Sequence, residues 1–120
     1  MIGHDVCVVL VTVPEASTAA ELSRTLVDER LAACGNIVPG VRSIYRWQGS
    51  VADEAEVLVL LKTSRLKVPE LLRRTAELHP YDVPEILVVN VETGHTPYLE
   101  WVTRETLPGA SPEDPDDRHT

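Results

Sequence analysis

The sequence predicts an α+β fold, a βαββαβ sandwich with an extra C-terminal helix, in which a four-stranded antiparallel sheet carries helices on one face. Three observations lead there. Apolar, β-branched runs at Val6–Val13, Val57–Leu61 and Leu87–Val91 read as buried strands. Segments of helical period lie between them, at about residues 16–32 and 66–78. A long alternating stretch, Asn36–Gln48, runs into Gly49-Ser50, so two strands follow one another through a hairpin. The order strand, helix, strand, strand, helix, strand is the ferredoxin-like split βαβ arrangement. Right-handed crossovers then place both helices on the same face of the sheet.

Each element has its own signal. Val6–Val13 is nearly unbroken apolar sequence, and Pro14 ends it. Thr18-Ala19-Ala20-Glu21 fits a capping box, and Leu22, Leu26 and Leu31 share a stripe, so the first helix is expected over 16–32, with Gly35 just beyond its end. The second strand, Asn36–Gln48, is interrupted at Pro39-Gly40, and the third is expected over Glu56–Thr63. The second helix spans Leu66–Leu78, with Pro69 in its first turn. Ile86–Val91 is the fourth strand, and Thr96 caps a last helix that has Pro97 at its first position. The first and third strands are the most apolar and are expected at the centre. Residues 1–107 form one domain, and residues 108–120, rich in Pro and acids, form a tail expected to be disordered.

Charge and cysteine usage narrow the function. The net charge of the 120 residues is −8. That balance disfavours nucleic acid, which needs clustered Lys and Arg. No run approaches the roughly 18 apolar residues of a membrane helix, and the N-terminus shows no signal-like segment. Cys7 and Cys34 form neither a zinc knuckle nor a disulfide framework. Two reduced thiols fit a cytoplasmic protein. No nucleophile elbow, HExxH, Walker loop or glycine-rich dinucleotide turn is present, so an enzyme is not expected.

The chemistry-bearing residues concentrate in two places. His79-Pro80-Tyr81-Asp82-Val83-Pro84-Glu85 is a connector stiffened by prolines at the mouth of a strand, a position that binding residues often occupy. His79 is a metal ligand or a hydrogen-bonding group at the end of the second helix. Tyr81 and Glu85, with Lys62 at the end of a central strand, could line a pocket for an anionic metabolite. The second place is the hairpin, which holds Tyr45, Arg46 and Trp47. A strand of 13 residues spans roughly 40 Å, long against a radius of gyration near 13 Å for a domain this size. The long β2–β3 hairpin therefore projects, and a projecting aromatic edge asks for a partner, most simply a second copy of the chain.

Six ordered motifs carry a family resemblance. Val9-Leu10-Val11-Thr12-Val13-Pro14, Leu31-Ala32-Ala33-Cys34-Gly35-Asn36-Ile37-Val38-Pro39-Gly40, Ser43-Ile44-Tyr45-Arg46-Trp47-Gln48-Gly49, Leu61-Lys62-Thr63, His79–Ile86 and Tyr98-Leu99-Glu100-Trp101 together resemble the CutA divalent-cation tolerance family over about residues 5–107. The resemblance implies a ferredoxin-like homotrimer, similar in outline to PII signalling proteins. It further implies a cytoplasmic role in tolerance of copper and other divalent cations, with no required cofactor. Cys34, His79 and Glu85 are then the candidate metal ligands, in a site shared between subunits. For Cys34 the alternative is a small buried residue at a helix-to-strand junction. Lys62, Tyr81 and Trp47 are the candidate ligand-binding residues, and Tyr45, Arg46 and Trp47 the candidate interface. Three functions follow: a weak divalent-cation binder, a PII-like sensor of an anionic metabolite, or a rigid scaffold for a protein partner.

Overall fold

The computed structural model describes residues 5–107. Its elements are β1 (Val6–Val13), α1 (Ala16–Asp28), β2 (Cys34–Trp47), β3 (Ser50–Ser64), a 3-10 turn (Arg65–Lys67), α2 (Val68–Leu78), β4 (Ile86–Asn90) and α3 (Thr96–Thr106). The strands form one antiparallel sheet in the order β2-β3-β1-β4. β1 and β3 are central and β2 and β4 are the edges, as their apolarity predicts. The acidic tail lies outside the described residues.

Alternation along the strands decides which face each side chain takes. Val9, Val11 and Val13 of β1 and Val57, Val59 and Leu61 of β3 point to one side. They pack there against Ala19, Leu22 and Leu26 of α1 and Leu71 of α2. α3 sits elsewhere. Its Leu99 and Val102 pack on Val6 and Ala33, and the Thr106 hydroxyl donates to Ser64 Oγ at 2.9 Å. It therefore closes one end of the second face. The remainder of that face, Val8, Leu10, Leu58, Leu60, Leu87 and Val89, has no helix over it among the described residues, and Leu87 and Val89 are 54% and 47% exposed.

The end of α1 and the start of β3 differ from expectation, and the start of α1 agrees with it but lacks the expected cap. α1 starts at Ala16 with Glu15 as N-cap and no capping side chain, so Thr18 lies inside the first turn and makes no capping box. The helix also ends at Asp28, four residues early. Arg30 takes the left-handed conformation (φ 60°), and the Arg30 and Leu31 amides donate to the Val27 and Leu26 carbonyls at 3.0 and 2.9 Å. This is a Schellman stop reached without glycine. Gly35 belongs to β2 instead. A Cβ on it would stand 2.9 Å from Ser23 Oγ, so glycine is what lets α1 lie directly on the strand.

β3 starts at Ser50, well before Glu56. Gln48 and Gly49 both have positive φ (50° and 83°), the geometry of a two-residue turn whose twist matches the flanking strands. That turn sets a register that carries Asp53 and Glu54 into the ladder despite their weak strand preference. β2 passes through Pro39-Gly40 with a shift between Val38 and Val41, tolerated on an edge strand. The hairpin projects as expected, and the molecule measures 49 × 29 × 25 Å.

Candidate functional site

A cleft of about 630 Å³ opens where the base of the hairpin meets the His79–Glu85 connector. Strand alternation builds its first wall, since Ser43, Tyr45, Trp47, Glu54 and Glu56 lie on one face of the hairpin. The connector supplies Tyr81, Asp82, Val83 and Glu85, and β1 supplies Thr12. Four carboxylates thus line the cleft, and among the described residues no Lys, Arg or His does.

Hydrogen bonds hold the walls. The Tyr45 hydroxyl donates to Glu54 Oε1 at 2.6 Å, and the Tyr81 hydroxyl to Glu56 Oε2 at 3.0 Å. Thr12 Oγ1 donates to Glu85 Oε1 at 3.3 Å. Glu56 is 7% exposed, and its hydrogen bond comes from a neutral phenol. Burial first, then the Glu56 carboxylate, pushes the Tyr81 phenol up to about 12. Its hydrogen bond to Glu54 similarly raises the Tyr45 phenol.

The Tyr81 shift has a consequence for pH dependence. The folded value lies above the ordinary phenol value near 10, so folding favours the protonated form. The resulting stability is complete below pH of about 10 and is lost as pH rises through about 12. In a spectrophotometric titration at 295 nm, the last tyrosine to ionise is expected to vanish in Tyr81→Phe.

His79 serves the chain. It is buried, its Nδ1 accepts the Tyr81 amide at 3.1 Å, and its Nε2 lies 2.7 Å from the Thr12 carbonyl. The acceptor role of Nδ1 puts the proton on Nε2, which donates to Thr12. Both ring nitrogens are thereby engaged, and the ring stacks at a tilt on Tyr81 with centroids 4.8 Å apart. His79 ties the end of α2 to β1 and orients the connector.

The structure brings Tyr45, Trp47, Tyr81 and Glu85 together and leaves the other candidates elsewhere. Cys34 and Lys62 are direct cross-strand partners toward the α3 end of the sheet. The Cys34 thiol is 3.3 Å from the Tyr98 hydroxyl, and Lys62 donates to Asn36 Oδ1. Arg46 lies exposed near the hairpin tip, outside the cleft. Cys7 is fully buried on the helix-covered face, so the two thiols point to opposite sides of the sheet. Among the described residues, no three His, Cys, Asp or Glu side chains lie close enough to hold a metal ion.

Sequence reasoning missed Thr12, Glu54 and Glu56 as cleft residues. Their signals were a hydroxyl in an otherwise apolar strand and, for the two glutamates, the Gln48-Gly49 turn. Pairing across a two-residue turn puts Glu54 opposite Ser43 and Glu56 opposite Val41.

Fold and cleft together define a small ferredoxin-like α+β protein with a projecting hairpin, one uncovered apolar sheet face and an acidic aromatic cleft. A model of the family described as CutA1 divalent ion tolerance protein matches residues 7–105. The Divalent-cation tolerance protein CutA of Thermus thermophilus is 50% identical over 99 residues, covering 82% of this chain and 96% of that protein. Protein CutA of Homo sapiens is 43% identical over 96 residues, covering 80% of this chain and 54% of that protein. This chain thus spans nearly all of the bacterial relative and about half the length of the human one. The solved structure of the Thermus thermophilus divalent cation tolerance protein superposes with a TM-score of 0.82 at 48% identity, covering 84% of this chain and 98% of that one. The chain belongs to the CutA divalent-cation tolerance family. The family's name describes ion tolerance and no reaction. No helix among the described residues is long and apolar enough to cross a membrane.

Proposed function

We propose that this chain is a non-enzymatic, self-associating divalent-cation tolerance protein whose acidic cleft holds divalent cations weakly. The observation that carries this reading is a cleft lined by Glu54, Glu56, Asp82 and Glu85 with no basic side chain among the described residues. A negative, partly enclosed surface concentrates cations and repels anions, which argues against an anionic metabolite in this cleft.

Oxygen donors suit hard and borderline ions such as Mg²⁺, Mn²⁺ and Zn²⁺, and copper as Cu²⁺. Copper(I) prefers paired sulfurs, and within one chain the two thiols lie on opposite sides of the sheet. Of Cys34, His79 and Glu85, Glu85 alone lines the cleft and stays in the proposed ligand set. The ion keeps part of its water shell or takes a further ligand from a second copy.

The uncovered apolar face supports the assembly. An exposed apolar patch marks an interaction site, and a trimer is the assembly that the family resemblance implies. Free Cys7 and Cys34 suit the reducing cytoplasm. Calorimetric titration of Zn²⁺ or Mn²⁺ into wild type and into Glu54→Gln/Glu56→Gln tests the cleft. Two lost charges a few ångströms from a divalent ion are expected to weaken binding by about tenfold or more. Equal affinity in both proteins removes the cleft from the account.

A further inference from the structure

We propose that the cleft also takes an organic cation, an alkylguanidinium or alkylammonium group, seated between the aromatic rings and the buried Glu56 carboxylate. The proposal rests on reading the cleft as a cation site and adds the class of ligand that fits it. Three observations carry it.

The first is a charge without a counter-charge. Glu56 lines the cleft at 7% exposure, and its hydrogen bond comes from the uncharged Tyr81 hydroxyl. Among the described residues, no Lys, Arg or His lines the cleft. A buried carboxylate with no cation beside it is costly, and a bound cation removes that cost.

The second is the chemistry of the walls. Tyr45, Trp47 and Tyr81 line the same space as the carboxylates. Aromatic faces attract cations through their quadrupoles, tryptophan most of all. A hydrated metal ion gains little from them, because its water shell keeps the charge away from the ring. An alkylguanidinium sheds its weakly held water readily and stacks on aromatic faces. Val83 adds an apolar surface that an alkyl stem covers and a metal ion cannot use.

The third is size. Six waters around a metal ion occupy roughly 180 Å³ at about 30 Å³ each. The cleft holds about 630 Å³, which falls in the range of sites for organic ligands.

The same group reaches the cleft either on a free small molecule or as an arginine side chain of another protein. The test uses the full-length protein and titrates n-butylguanidinium, with n-butylurea as its neutral isostere and acetyl-Gly-Arg-Gly-amide as the peptide form. Saturable binding of butylguanidinium without binding of butylurea is expected. Trp47→Ala is expected to weaken it about fivefold to tenfold, and Trp47→Phe to restore most of it. Trp47 is 48% exposed on the hairpin, so its replacement leaves the core of the chain untouched, and sedimentation velocity on Trp47→Ala separates lost binding from lost assembly. Tighter binding of the peptide assigns the site to a protein side chain, and tighter binding of butylguanidinium to a small molecule. Equal response to butylguanidinium and butylurea, or full affinity in Trp47→Ala, overturns the proposal. Zn²⁺ titrated in parallel separates the two readings. Zinc binding without guanidinium binding ends this proposal alone, and guanidinium binding without zinc binding ends the metal reading alone.

Discussion

Replacing Leu87 and Val89 together by Glu is expected to separate the assembled protein into folded single chains. Both lie on β4 and on the sheet face that no helix covers, at 54% and 47% exposure. In an isolated chain, Glu at these positions reaches water and costs little. In an assembly that buries this face, each apolar side chain contributes about 1.5–3 kcal/mol when fully covered, and each introduced carboxylate must be desolvated without a partner. Several copies multiply both effects. Sedimentation velocity with far-ultraviolet circular dichroism distinguishes the outcomes. A drop in mass with an unchanged spectrum is the expected result. An unchanged mass shows that the copies meet through some other surface.

Adding a side chain at Gly35 is expected to cost about 1–3 kcal/mol, as overpacking of a well-filled site does. The ideal Cβ would stand 2.9 Å from Ser23 Oγ, 3.1 Å from Ser23 Cβ and 3.1 Å from Leu61 Cδ2. Ser23 is itself unusual, because its buried hydroxyl has no hydrogen-bond partner among the described residues. Ser23→Ala alone should therefore be neutral or stabilising by up to about 1 kcal/mol, since it removes an unsatisfied buried group. It also removes the nearest atom, so Gly35→Ala is expected to cost less in the Ser23→Ala background than in wild type. Denaturant unfolding of the four proteins reads this coupling directly. Strict additivity would mean that the two residues are not pressed together.

The central sheet was legible because its strands are strongly apolar. Val6–Val13 needs no turn or partner to be read as a buried strand, and its bounds agree with the structure. The order β2-β3-β1-β4 followed from the same contrast between central and edge strands. The two main errors have different causes, strand pairing that overrides local preference in β3 and a local backbone stop at the end of α1. Asp53 and Glu54 are poor strand formers held in β3 by the turn at Gln48-Gly49. Arg30 adopts a left-handed stop usually left to glycine, and no local signal marks it.

The cleft was legible in part for the same reason. Tyr81 and Glu85 stood out on a proline-stiffened connector, and Tyr45 and Trp47 on the hairpin. Glu54 and Glu56 join them only through register, because a one-residue slip would turn both to the other face. Lys62 shows the converse. It shares a sheet face with Glu56, but six residues along β3 carry it away from the cleft, to Asn36 and Cys34.

The most direct test of the central claim, that an assembled protein binds divalent cations through its acidic cleft, is native mass spectrometry. Untagged wild type and Glu54→Gln/Glu56→Gln would be stripped of metal and titrated with Zn²⁺. The account predicts a three-copy species for both proteins, with saturable zinc adducts on the wild type that disappear from the variant. A single-chain mass for the wild type, or the same adducts on both proteins, would contradict it.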